Sequence, residues 1–220
     1  MVEHKTNLII MKNTILITLL VLISLQSCKD DDDQPTMKIP NAGLVTTPNS
    51  YWVYDWYQID SFGIETSHPV QDSIYIAGDT LLNGNTYVIY KGTELGSPQI
   101  KILRDSSGFI VDHQGVIIWN INSISQIADN TTQYGIKSTS SMTNLSSSVT
   151  VGAGTFNTIE KTTRFCYEDG KPFTVCNQCW DSKSYFSDGI GEISLQTAYI
   201  GTINKECTYL ERRLIKYRIK

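Results

Sequence analysis

The sequence has little of several things that commonly announce a function. Charge is nearly balanced, with 18 Lys and Arg against 22 Asp and Glu over 220 residues. A nucleic-acid partner would need a clustered basic face, so no nucleic-acid role is expected. Histidine is scarce, at three residues, and only His68 and His113 lie beyond the first 27 positions. There is no Gly-x-Ser-x-Gly, no His-Glu-x-x-His, no glycine-rich phosphate loop and no EF-hand pattern. No long stretch repeats with a 3.6-residue period, which argues against a helical bundle. After one run near the start, no apolar stretch approaches the ~20 residues of a membrane-spanning helix. Disorder of the bulk is also excluded, since 40% of the residues are hydrophobic and Tyr, Trp and Phe number 12, 4 and 6.

What is present first is an address. Thr14 to Leu25 is almost wholly apolar and follows Lys12. At about a dozen residues it has the length of a signal-peptide core. Met11 is the expected true start, because Met11-Lys12-Asn13 and the run behind it form a complete signal. Leu25-Gln26-Ser27-Cys28 resembles the lipobox of bacterial lipoproteins, with a small residue, Ser27, at the cut site and Gln26 as in looser Bacteroidota versions. The resemblance implies removal of residues 1–27 and a diacylglycerol and an N-acyl chain on Cys28. No other cofactor is expected, and the bilayer is the expected partner through that anchor. Lys29-Asp30-Asp31-Asp32-Asp33 reads physically as a solvated acidic tether. It also resembles the surface-export signal of Bacteroidota lipoproteins, which implies the outer membrane, facing the exterior. An acidic run does not attract anionic lipid, so the acyl chains would carry the anchoring.

Residues 28–43 then form the lipidated cysteine and a tether, and 44–220 one β-rich domain. Ser50–Asp60 is dense in aromatic and β-branched residues, with Trp52, Tyr54 and Trp56 on one strand face. A strand run begins at Asp72. Asn83-Gly84 is a tight-turn signal, and Asp105-Ser106-Ser107-Gly108 is another turn. Strand-like runs resume at Val149–Val151, Thr155–Phe165, Phe173–Val175, Lys183–Phe186, Ile193–Ile200 and Tyr209–Ile219. Turns every 8–12 residues imply an antiparallel β-sandwich or curved half-barrel. At most one or two short helices are expected, one of them from Ile121, Ile124 and Ile127. Ser138 to Ser148, rich in Ser and Thr, is expected to be a loop.

Val149 to Ile159, with Gly154-Thr155-Phe156, and Tyr185 to Ile193, with Gly189-Ile190-Gly191, resemble paired segments of uncharacterised bacterial envelope proteins. The resemblance implies a curved antiparallel sheet distantly like the lipoprotein-carrier half-barrels. The same glycines also have a purely backbone reading, as bends and bulges.

With Cys28 lipidated, Cys166, Cys176, Cys179 and Cys207 remain as disulfide candidates in a bridge-permissive compartment. A hairpin around Asp169-Gly170 would bring Cys166 and Cys176 near one another, and Cys207 could reach Cys176 or Cys179. Two rivals stay open: a four-thiolate zinc site using the Cys176-x-x-Cys179 spacing, and a redox Cys-x-x-Cys, which lacks the expected helix start.

Other chemistry is sparser. Asp112-His113 could be a base and its orienter, or a solvated pair in a turn. Glu160 and Glu192 read as surface strand residues. Asp72-Ser73-Ile74 and Asp79-Thr80-Leu81 resemble Bacteroidota O-glycosylation sites, at Ser73 and Thr80. The basic end, from Arg212-Arg213 to Lys220, reads as an edge strand kept soluble by its charges. The expectation is a non-enzymatic surface lipoprotein whose β-domain binds an apolar or amphipathic ligand or a partner. The alternative is a glycan-binding accessory protein stacking sugars on Trp52, Trp56 and Trp119.

Overall fold

The structure is a computed structural model that describes residues 43–121, 124–133, 135–170, 179–198 and 207–220. Twelve strands run in chain order: β1 (Tyr51–Ile59), β2 (Glu65–Leu82), β3 (Asn85–Glu94), β4 (Ser97–Ser106), β5 (Phe109–Asp112), β6 (Ile117–Asn120), β7 (Gln126–Gln133), β8 (Ile136–Val151), β9 (Gly154–Tyr167), β10 (Trp180–Ser187), β11 (Gly191–Ala198) and β12 (Tyr209–Arg218). They form one antiparallel sheet in the order β6-β5-β4-β3-β2-β1-β12-β11-β10-β9-β8-β7. Each half is an up-and-down meander. The halves join where β1 pairs with β12, Tyr51 opposite Arg218 through Ile59 opposite Tyr209. The sheet curls into a nearly closed barrel, not a two-sheet sandwich. No helix occurs among the described residues.

Turn chemistry sets the register. Asn83 and Gly84, at φ 50° and 78°, form the two-residue β2–β3 connection. Ser107 and Gly108, at 57° and 86°, do the same between β4 and β5. Both positive φ values match the mirror-image turns whose twist suits a hairpin. Gly92 on β3 is required for another reason. It faces Ile74 of β2, and a Cβ there would collide with the Ser73 carbonyl and lie 2.8 Å from the Ile74 Cα.

Three expectations need correction. β2 starts at Glu65, well before Asp72. It absorbs Pro69 because its pairing with β1 is irregular between Asp55 and Tyr57, and a bulge tolerates a residue without an N–H. Ile121 and Ile124 each sit at a bend and Ile127 lies in β7, so the three form no helix among the described residues. Ser138 to Ser148 lies inside β8, a strand of 16 residues. Its hydroxyls pair across to β9: Ser140 with Thr163 at 2.9 Å, Thr143 with Thr162 at 2.9 Å and Ser147 with Thr158 at 2.7 Å. Cross-strand hydroxyl pairs stabilise a sheet, so a run that looks loop-like in composition is a ladder.

The curved sheet encloses two apolar clusters. One holds Leu103, Ile110, Trp119, Met142, Ile159 and Phe186. The other holds Val45, Trp52, Tyr54, Ile76, Val88, Ile193 and Leu214. Each fully buried large side chain contributes about 1.5–3 kcal/mol. Trp119 stacks on Phe186 with ring centroids 4.5 Å apart.

Candidate functional site

Inside the barrel lies a partly enclosed cavity of about 380 Å³. Both meanders contribute to it. β1 supplies Trp52 and Tyr54, β3 Tyr90, β6 Trp119 and β10 Phe186, while Leu44 and Val45 reach in from ahead of β1. The alternation of β1 dictates this. Its inward phase carries Trp52, Tyr54 and Trp56, and all three are buried. Their polar tips are satisfied at the wall. Trp52 Nε1 donates to the Ile190 carbonyl at 2.7 Å, the Tyr54 hydroxyl to the Glu192 carbonyl at 3.1 Å, and the Tyr90 hydroxyl to the Val45 carbonyl. Burial raises the hydroxyl pKa of Tyr54 and Tyr90 above the ordinary tyrosine range, Glu192 adding to the rise at Tyr54.

Charge enters this apolar interior at a few positions. Arg212 of β12 is fully buried. Its Nε and Nη2 donate to Glu192 Oε1 at 3.1 and 2.5 Å. Its Nη1 lies 3.9 Å from Asp72 and 4.0 Å from Glu94. The guanidinium also sits 4.7 Å from the Tyr54 ring centroid and 5.6 Å from that of Trp56, within cation–π reach. Burial opposes the charged form of Glu192, but Arg212, helped by Lys101, outweighs it and holds the carboxyl below its usual range. Asp72 is likewise buried and yet held low, by hydrogen bonds from Trp56 and from the Gly96 and Leu95 amides.

Lys161 of β9 also lines the cavity. Its ammonium donates to the Ile118 carbonyl at 2.9 Å. Burial pushes its pKa down to about 8, against the pull of Glu192 and with a further push from Lys101. Chemically the arrangement is a largely apolar container that also carries Lys101, Asp112, His113, Lys161 and Glu192 on its lining, the form of a small-molecule site, whose volumes run from about 300 to 1,000 Å³.

The residues singled out by sequence fall as follows. Trp52, Trp56 and Trp119 are 3%, 0% and 6% exposed, so they form no solvent-facing row for sugar rings. They are too large and apolar to be left outside when the inward phase must be filled. Cys166 and Cys179 form a disulfide with Cα atoms 4.9 Å apart. The hairpin therefore places Cys179 opposite Cys166. This bridge withdraws both sulfurs from a four-thiolate zinc set and Cys179 from a Cys176–Cys179 redox pair. Cys207 is disulfide-bonded as well. Cys28, Lys29, Asp30, Asp31, Asp32, Asp33 and Cys176 lie outside the described residues.

Asp112 does not orient His113. Its Oδ1 accepts the Gln114 and Val116 amides, both at 2.9 Å, and so caps the β5–β6 turn. Ser73 is exposed and Thr80 half-buried. Glu160 pairs with Lys183 at 3.3 Å. Glu192, expected on the surface, lines the cavity. The basic segment at Arg212 is not an edge: β12 is hydrogen-bonded to both β1 and β11. The charged interior was missed, but its signal was there. Arg212 shares a strand phase with Leu210 and Leu214, and Lys161 shares one with Ile159.

No protein-family model matches the chain, and no curated protein matches it. Two solved structures resemble it at 10% identity. One is a Bacteroides fragilis protein assigned as exported, with a YmcC-like fold, at a TM-score of 0.43, covering 80% of this chain and 98% of its own. The other is a Parabacteroides distasonis protein assigned as a lipoprotein, at a TM-score of 0.33, covering 79% of this chain and 96% of its own.

Proposed function

We infer that this is a lipid-anchored outer-membrane protein, held by acyl chains on Cys28 and facing the exterior, whose barrel binds an apolar or amphipathic small molecule without transforming it. The observation that carries the binding role is the cavity of about 380 Å³ walled by Trp52, Tyr90, Trp119 and Phe186. Apolar surface left inside a barrel mouth is stabilised when an apolar ligand replaces water there. The anchoring role rests on the lipobox-like Leu25-Gln26-Ser27-Cys28 and the acidic run behind it.

The test is native mass spectrometry of the protein purified from its host, with mild release of bound small molecules. The expected result is a mature chain beginning at acylated Cys28 and a co-purifying apolar or amphipathic compound. Filling the cavity with Ile118→Trp should abolish retention of the compound while leaving the acylation unchanged. An empty barrel that also fails to take up an apolar dye would overturn the binding role. A full-length, unacylated chain would overturn the anchoring role.

A further inference from the structure

Lys161 is a cation whose donors are mostly unspent. β9 carries it on the same face as the fully buried Ile159. An ammonium has three N–H donors. One goes to the Ile118 carbonyl at 2.9 Å, and among the described residues Lys161 forms no ion pair. The carboxylates that line the cavity or lie beside Arg212 are committed elsewhere. Glu192 accepts two donors of Arg212, and Glu94 pairs with Lys101 at 3.3 Å. Asp72 holds Trp56 and two backbone amides, and Asp112 caps its own turn. A cation in apolar surroundings is costly until anionic or polar acceptors complete its shell.

On the reading of the barrel as an amphiphile-binding module, we propose that Lys161 anchors the ligand's headgroup and that the ligand is an alkyl carboxylate. The chain lies along Trp119, Phe186 and Leu103, and the carboxylate accepts the free donors of Lys161. A single negative charge fits better than a dianionic phosphate, because Lys101, the other lysine on the lining, is already paired with Glu94.

The experiment titrates the mature full-length protein, at neutral pH, with dodecanoate, dodecanol and dodecylammonium, by calorimetry. Dodecanoate should bind tighter than dodecanol by about tenfold or more, the range of one charge-assisted hydrogen bond. Lys161→Met should bring dodecanoate down to the dodecanol level and leave dodecanol unchanged, while Lys161→Arg keeps the preference. The proposal is overturned if the wild-type protein binds dodecanoate no tighter than dodecanol, if it prefers dodecylammonium, or if the preference survives in Lys161→Met. Those outcomes leave amphiphile binding standing. Failure of all three ligands to bind would remove that reading as well. The wild-type comparison decides the matter even where Lys161→Met does not fold.

Discussion

The indole Nε1 of Trp56 donates to Asp72 Oδ2 at 2.6 Å, between two side chains with no exposed surface. The same oxygen accepts the Leu95 amide at 2.9 Å, and Oδ1 accepts the Gly96 amide at 3.0 Å. Leu95 and Gly96 are the two-residue β3–β4 turn, both at positive φ, 50° and 75°. A leucine there is strained. One carboxylate therefore ties β1 to β2 and holds a strained turn in place.

Asp72→Ala should remove about 3 kcal/mol of unfolding free energy, since it leaves the Trp56 indole and two amides without their acceptor. Urea titration measures the loss. Hydrogen exchange at the Leu95 and Gly96 amides should accelerate more than at β11 amides, which locates the effect at the turn.

Arg212→Met should cost about 3–5 kcal/mol, because it strands the Glu192 carboxylate in the apolar interior. Adding Glu192→Gln should recover a large part of that loss. A double variant no more stable than Arg212→Met alone would show that the pair is not the source of the penalty.

The pH dependence of stability has two limbs. Asp72 and Glu192 titrate below their ordinary values in the folded state. Their stabilisation is complete above the ordinary carboxylate range and is lost as pH falls through the depressed values, so acid should unfold the barrel. Lys161 titrates near 8 when folded against 10.5 ordinarily. Between those values the unfolded chain binds more protons, so this group makes stability rise with pH. The buried tyrosines Tyr54 and Tyr90, whose pKa values are raised, act in the opposite sense above about 10. Urea midpoints between pH 8 and 9.5 should thus climb in the wild-type protein and climb less in Lys161→Met.

Replacing both Cys166 and Cys179 with Ser should lower stability by about 3 kcal/mol, the chain-entropy value for a loop near their separation of 13 residues. The β9–β10 connection should become the first site of proteolytic cleavage. Thermal denaturation with and without reductant should show a larger loss, because reduction also opens the bridge at Cys207.

Most strands and turns were legible in the sequence because they rest on local chemistry, whereas β7 and the Ser/Thr-rich β8 were not. Trp52, Tyr54 and Trp56 alternate, Asn83-Gly84 suits a mirror-image turn, and Tyr209 to Ile219 sets Leu210, Leu214, Ile215, Tyr217 and Ile219 among charged residues. The cavity was legible only as a class of site. Its charged members were not, because the same letters serve opposite ends. Arg212 beside Arg213 looks like a solvated edge, yet Arg213 pairs with Glu65 at 2.8 Å at the partly exposed side while Arg212 points in. Whether a strand is central or peripheral depends on a pairing between residues more than 150 positions apart, Tyr51 with Arg218 among them. No local pattern encodes that. The Asp72 of a three-residue glycosylation-like motif proved to be a core residue for the same reason: its donors come from β1 and from the β3–β4 turn.

β6 and β7 stand at the two ends of the strand order, so the ring has a slit at mid-sequence. Near it Asn120 Nδ2 donates to Ser125 Oγ at 3.3 Å, and the Met142 amide donates to the Ser125 carbonyl at 2.8 Å, carrying the β7–β8 ladder one step past Gln126. The β1–β12 seam, opposite in the order, is paired from Tyr51 to Ile59 and fastens the two leaves as one purse.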